Sequence, residues 1–342
     1  MIVTFQSNQQ QASIAATLTS ELRSEWRKHT ERSLWFSVRG FYGCLPYWQE
    51  FYDFRAWTVH RAVLTAEGQF RMGDAVSWTA IEAERSTPFV GDIVHSGRIR
   101  VMMQPVVDVA AGQVVGYEML ARGVREDGGF IPPNVLFEAA REQSQLFLLD
   151  KACRIAAIEA GARIDSDKLI FVNFIPTSIY VPEHCLTTTL AAVRRAGIDS
   201  GRIIFEVVET DRVDDLSHLR RILSYYRATG FRCALDDYGE GFSDEETLRA
   251  LAPDIVKLDR QYVTGIDRDT ERRGRAEAVY QEGLAMGARM LAEGIEREEE
   301  AIALARMGYH WQQGYWYGRP DWDPADVDPE KLRRVKAAAG LC

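Results

Sequence analysis

Cysteine is scarce in this chain of 342 residues: there are five, scattered, with no C-x-x-C pair and an odd total. That excludes a disulfide framework and a thiolate zinc site, and it fits a reducing, cytoplasmic setting. Long apolar runs are missing too. None reaches the ~20 residues that span a bilayer, and the polar start MIVTFQSNQQQAS does not read as a secretory signal. The six histidines show no H-x-H spacing, and no serine–histidine pairing stands out that would support a covalent intermediate. Basic charge is in deficit. The formal net charge is −9, which argues against a nucleic-acid polymer as partner. Residues 1–90 hold nine Lys and Arg and nine Asp and Glu, so the whole deficit falls on residues 91–342. An acidic domain that works on an anion needs metal ions or well-placed arginines.

Hydrophobic residues make up 46% of the chain, enough for a sizeable core in one large domain or two ordinary ones. The composition shifts near residue 90. Residues 35–57 hold ten aromatic residues, and Ile14, Leu18, Leu22 and Trp26 at four-residue spacing predict an amphipathic helix over 14–26. We read residues 1–90 as a small α/β region with its own aromatic core and a regulatory or dimer-supporting role. From residue 100 onward eight short runs read as strands: VMMQPVV, VVGYEML, LIFVNF, RIIFEVVE, CALDD, DIVKLD, RMLAEGI and HWQQGYWY. Most are separated by helical stretches such as LSHLRRILSYYRATG (216–230), which closes on a glycine cap. That alternation predicts parallel strands with crossover helices, closed as a (β/α)8 TIM-like barrel over residues 91–325. DVAAGQ, between the first two strands, is too short for a crossover, so that pair is expected to run antiparallel. Residues 326–342 are expected to form a C-terminal helical tail.

The stretch CALDDYGEGF (233–242) ends an apolar run in two adjacent aspartates, which alternation cannot place on one solvated face. They have company. Glu118, Asn173, Glu206, Asp236 with Asp237, Lys257, Glu293 and Gln313 each fall near the C-terminal end of a predicted strand. Singly, each has an ordinary explanation: a surface carboxylate for Glu118, a turn for Asn173, a snorkelling chain for Lys257. A barrel, however, gathers these ends at one mouth. Five carboxylates there repel one another unless cations neutralise them, and an oxygen-rich set points to a hard ion such as Mg²⁺ or Mn²⁺. Adjacent aspartates suit a pair of ions about 4 Å apart.

The motifs YEMLAR (117–122), FVNF (171–174), FEVVET (205–210), LDDYGEGFS (235–243), PDIVKLD (253–259), AEGIE (292–296) and QQGYWYGRP (312–320) resemble, in order, those of the EAL domain family. Those are bacterial phosphodiesterases that open cyclic di-GMP to linear pGpG. The resemblance covers roughly residues 91–325 and leaves residues 1–90 outside. It implies two divalent cations, Mg²⁺ or Mn²⁺. Glu118, Asn173, Glu206 and Asp236 would ligate the first, and Asp236 and Asp237 the second, with Glu293 contributing. It also implies that Lys257 orients or polarises the attacking water, that Arg122 faces a substrate phosphate, and that Gln104 and Gln313 contact the dinucleotide. Glu209 would anchor the loop carrying Asp237, and the family's usual assembly is a homodimer in the bacterial cytoplasm. The chain departs from the pattern at Met119, at Glu240, at Asp244, Glu245 and Glu246, and beside Asn173, where VNFIP replaces the usual VNLSP. Two other readings compete: a non-hydrolysing receptor for the same dinucleotide, and an enolase-like lyase with carboxylates and Mg²⁺ at its strand ends. The intact ligand set favours the enzyme over the receptor. Lys257, Arg122 and the reversed first strand favour phosphodiester chemistry over the lyase.

Overall fold

A computed structural model describes the chain except for residues 18–25, 38–40, 42–47, 49–51, 65–69, 82–89, 144, 180–181, 209–215, 239–244 and 342. The contacts divide it into two compact units, Met1–Pro88 and Phe89–Cys342. In the first unit, β1 (Ile2–Thr4), β2 (Trp26–Thr30), β3 (Ser33–Phe36), β4 (Thr58–Leu64) and β5 (Phe70–Val76) form an antiparallel sheet in the order β2-β3-β1-β4-β5. The helix Asn8–Thr17 joins β1 to β2 with β3 inserted between them, a split β-α-β arrangement. The aromatic density is core. Phe5, Phe36, Phe41, Trp48 and Trp57 are buried, and Phe36–Trp48 and Trp48–Trp57 meet edge-on at 5.3 and 5.6 Å. The helix expected over 14–26 is corrected. Ile14 is buried, as that reading requires, but the described helix is Asn8–Thr17 and Trp26 opens β2, where it pairs with Phe36. A long-range ladder has taken the residue that local periodicity assigned to a helix. Leu18 and Leu22 lie outside the described residues.

In the second unit β6 (Ile99–Asp108), β7 (Gln113–Val124), β9 (Leu169–Phe174), β10 (Ile203–Val208), β11 (Arg232–Tyr238), β12 (Ile255–Leu258), β13 (Arg289–Ala292) and β14 (Trp311–Gln313) close into a barrel. A short β8 (Phe130–Ile131) extends it beside β7. Every neighbouring pair of barrel strands is parallel except those made by β6, which runs antiparallel to both β7 and β14. The reversed strand follows from the tight β6–β7 turn. There Asp108 Oδ1 accepts the Ala110 and Ala111 N–H groups at 2.9 Å, and Gly112 adopts φ 72°. The C-terminal helix Pro329–Ala339 packs on Glu298–Met307 and buries Leu332 and Val335.

Strand alternation explains where the side chains go. Val172, Phe174, Phe205, Val207, Cys233, Leu235, Val256 and Leu258 point outward, into the core beneath the helices. Val106, Phe171, Ile204, Ala234, Ile255, Leu291 and Trp311 point inward and fill the barrel with one apolar layer. Two residues further along, on the same inward face, come Asn173, Glu206, Asp236, Lys257, Glu293 and Gln313. Gln104 stands two residues before Val106 on the reversed β6. The polar constellation is therefore the next layer of the barrel interior.

A buried ion pair braces this end. On the helix Leu146–Gly161, Asp150 and Arg154 are 2% and 0% exposed and are paired. Asp150 Oδ1 also accepts the Ile175 N–H at 3.0 Å, and its Oδ2 accepts the Ser178 hydroxyl at 2.6 Å. Burial raises the Asp150 pKa against the opposing pull of Arg154 and Ser178. Arg154→Ala leaves that carboxylate buried without its cation. It should cost about 3–5 kcal/mol of stability, read by urea unfolding. A loss below about 1 kcal/mol, the level of an exposed pair, would show that the pair does not hold this corner.

Candidate active site

Glu206 and Lys257 are fully buried in the barrel interior, and Asp236 is 8% exposed. Lys257 Nζ lies 2.8 Å from Glu206 Oε1, 3.0 Å from Asp236 Oδ1 and 2.5 Å from Glu293 Oε1. One ammonium thus faces three carboxylates from three strand ends. Glu118 completes the ring from β7. Its Oε1 accepts the Asn173 amide at 2.9 Å and its Oε2 accepts the Gln313 amide at 2.7 Å. Glu293 follows the last residue of β13, yet its N–H still donates to Leu258 O at 3.2 Å, which keeps it in the ladder. Gln313 is placed by a close approach. A Cβ on the next residue, Gly314, would collide with the backbone N and O of Ile295, so only glycine lets the two strand ends meet.

The electrostatics are unbalanced. Burial raises the pKa values of Glu206 and Glu293 well above the usual carboxylate range. Lys257 pulls each of them down, while the neighbouring acids push them up. Burial alone would lower the Lys257 pKa, but Asp236, Glu206, Glu293 and Glu118 together carry it upward. Raised acids favour folding fully only below their unfolded pKa, and that contribution drains away as pH rises through the folded value. Lys257 contributes up to its ordinary pKa and loses its effect only beyond it. In EDTA the Tm should therefore fall from about pH 5 toward about pH 8, and fall less steeply in Glu206→Gln. Thermal scans across that range check it. Equal slopes for both proteins would mean that the buried acids are not the cause.

Two clefts meet at this cluster. One, of about 140 Å³, is lined by Gln104, Glu118, Arg260, Glu293, Gln313 and Tyr315. The other, of about 280 Å³, is lined by Arg122, Pro133, Asn134, Phe137, Asn173 and Asp150 among others. The Glu118–Asn173 hydrogen bond joins them. The structure thus brings together Gln104, Glu118, Arg122, Asn173, Glu206, Asp236, Lys257, Glu293 and Gln313. Asp237 ends β11 with its neighbour Tyr238, but its side chain lies outside what is described, as do Glu209, Glu240 and Asp244 entirely and the side chains of Glu245 and Glu246. Sequence reasoning missed Arg260, Tyr315 and Asp150. The last carried a signal: an acid four residues before an arginine in the apolar run LFLLDKACRIAA.

The divalent ions implied by the resemblance can be tested against these atoms. Among the described residues, no three of His, Cys, Asp and Glu are arranged as a ready metal cage. Lys257 occupies the centre of three carboxylates, and Glu118 is turned to two amides. The donor set still fits. Both Glu206 oxygens are buried and accept no well-formed hydrogen bond, although Lys257 is near. Four carboxylates share one ammonium, which leaves an excess negative charge that hard cations with oxygen ligands would neutralise. Among the described residues no helix is long and apolar enough to cross a membrane.

The EAL domain family matches residues 90–320. An uncharacterized signaling protein of Caulobacter vibrioides is 32% identical over 261 residues, 71% of this chain and 31% of that protein. The probable cyclic di-GMP phosphodiesterase PdeG of Escherichia coli is 27% identical over 236 residues, 66% of this chain and 45% of its own length. The matched stretch is thus less than half of either relative. Among solved structures, the c-di-GMP-bound form of a standalone versatile EAL protein from Vibrio cholerae O395 aligns with TM-score 0.62 and 31% identity. It covers 68% of this chain and 97% of that one. The manganese and cy-diGMP complex of Klebsiella pneumoniae BlrP1 aligns with TM-score 0.62 at 24% identity, over 67% of this chain and 58% of its own. That second likeness is one of fold alone.

Proposed function

The chain belongs to the EAL domain family, and from that premise we propose that it hydrolyses cyclic di-GMP to linear pGpG with two divalent cations, Mg²⁺ or Mn²⁺. The observation that carries this reading is the buried polar layer: four carboxylates share one ammonium, between two clefts joined by the Glu118–Asn173 contact. Together the clefts have the size of a small-molecule site. In this reading Glu118, Asn173, Glu206 and Asp236 would hold the first cation, and Asp236, Asp237 and Glu293 the second. When bound, the ions supply neutralisation of charge on the phosphoryl oxygens and a lowered pKa for the attacking water.

The chain's own residues do the rest. Asn173 and Gln313 hold both Glu118 oxygens at the mouth. Lys257 keeps Glu206, Asp236 and Glu293 together, and in this reading it orients or polarises the attacking water. Arg122, at the wall of the larger cleft, meets a substrate phosphate, and Gln104 and Gln313 meet the dinucleotide from the smaller one. A homodimer and a regulatory or dimer-supporting role for residues 1–90 belong to the same proposal. The test is the purified protein with cyclic di-GMP and Mg²⁺ or Mn²⁺, with products resolved by chromatography. Cleavage to pGpG supports the enzyme; binding without cleavage in either metal would establish the receptor.

A further inference from the structure

The end of the barrel opposite the acidic mouth has the reverse character. A cleft of about 500 Å³ opens there, at the starts of β11, β12, β13 and β14, lined by Arg232, Arg289, His310, Trp311, Tyr280 and Leu284 among others. Strand alternation places its cations. Arg232 stands two residues before Ala234, and Arg289 two residues before Leu291, both of which fill the barrel interior. The two guanidinium-bearing residues therefore belong to the inward face, below the apolar layer. They lie about 13 Å along their strands from Asp236 and Glu293.

These cations are uncommitted. Among the described residues, the side chains of Arg232 and His310 make no hydrogen bond or ion pair. Among the described residues, the Arg289 guanidinium has a stacking contact, 5.0 Å from the Trp311 ring centre, and no hydrogen bond or ion pair. One acid, Asp254, lines the cleft and a second, Asp108, lies beside it; both accept N–H donors. Asp254 Oδ2 accepts the Cys233 N–H at 2.8 Å. Asp108 accepts the Ala110 and Ala111 N–H groups through Oδ1 and Trp311 Nε1 through Oδ2. Neither forms an ion pair with Arg232 or Arg289. In a chain of net charge −9, unpaired arginines converging on one cleft are a feature that calls for an anion. Part of the remaining wall is apolar, from Ile255, Leu284, Met290 and Trp311. Leu284 is 54% exposed, and Tyr280 and Trp311 line the same cleft. A free inorganic ion would leave that surface uncovered, whereas a ligand with a flat apolar body and a phosphate tail would cover it.

We propose that this cleft is a second ligand site, distinct from the mouth, that takes a nucleoside phosphate: the phosphates meet Arg232 and Arg289 and the base lies against Tyr280 and Leu284. The four strands that frame it are those that carry Asp236, Lys257, Glu293 and Gln313 at their other ends, so an occupant here bears on the same strands as the mouth. The probe is adenosine 5′-triphosphate, titrated calorimetrically into the full chain in EDTA so that the mouth holds no divalent ion. Binding below about 1 mM is expected, weakened at least about ten-fold in the double variant Arg232→Ser with Arg289→Ser and unchanged in Glu118→Ala. No binding at about 1 mM, or equal binding by the double variant, would overturn the site. Loss of binding in Glu118→Ala would assign it to the mouth instead and overturn it equally. Inorganic tripolyphosphate binding as tightly as the nucleotide would overturn the stacking half of the proposal. Because the titration needs neither metal nor hydrolysis, its failure is separate from any failure of the phosphodiesterase reading.

Discussion

Glu118→Ala should lower cyclic di-GMP turnover by about three orders of magnitude or more, equivalent to roughly 4 kcal/mol of barrier, with little loss of stability. The two halves of that expectation have different causes. Both Glu118 oxygens are engaged, one by Asn173 at 2.9 Å and one by Gln313 at 2.7 Å, so truncation removes a proposed cation ligand and frees two amides that held it. Binding the substrate equally well would not compensate, because the lost interaction acts on the reacting centre. Stability is spared because Glu118 is half-buried at the cleft and packs in no apolar layer. Product chromatography and urea unfolding on the same preparation separate the effects. Near-wild-type turnover would remove Glu118 from the ligand set. A stability loss comparable to that of Arg154→Ala would make its role structural.

How much of this was legible in the sequence follows from the range of the interactions. The barrel was legible because period-2 apolar runs separated by helical stretches are local patterns, and DVAAGQ is too short for anything but a turn. The identity of the mouth residues was legible for the same reason, since Asn173, Glu206, Asp236, Lys257 and Gln313 each stand two positions beyond an inward apolar residue. Glu293 was legible in type, although the run RMLAEGI reads longer than the strand that forms: β13 ends at Ala292, and Gly294 turns at φ 70°. What could not be read was mutual position. Nothing in the order of residues says that Lys257 lies among Glu206, Asp236 and Glu293, because three crossovers separate them. The buried tie from Asp150 to Ile175 N and Ser178 likewise depends on the helix docking over β9. At the N-terminal unit the failure ran the other way. A four-residue period continued past Thr17 in the sequence, and pairing with β3 claimed Trp26 for the sheet.

Lys257→Met should be as damaging to turnover as the loss of Glu118, about three orders of magnitude, but with an opposite dependence on metal for stability. The ammonium is fully buried and lies within 3.0 Å of Glu206, Asp236 and Glu293. Methionine keeps much of its length and volume, so the packing change is small. The charge change is not. Without Lys257 the pull that lowers the Glu206 and Glu293 pKa values disappears, and the metal-free protein must either protonate both acids or bury their repulsion. In EDTA the variant should lose several kcal/mol at about pH 8 and much less at about pH 5, where protonated acids need no partner. Adding Mn²⁺ should restore most of that stability, since a divalent cation supplies the missing charge, without restoring turnover. Lys257→Arg should fail as well, because a planar guanidinium needs space that a fully buried position between three carboxylates does not offer. Urea unfolding at both pH values, with and without Mn²⁺, and a product assay on each variant decide it. Turnover recovered together with stability on adding Mn²⁺ would mean that Lys257 only neutralises the acids and takes no part in the reaction.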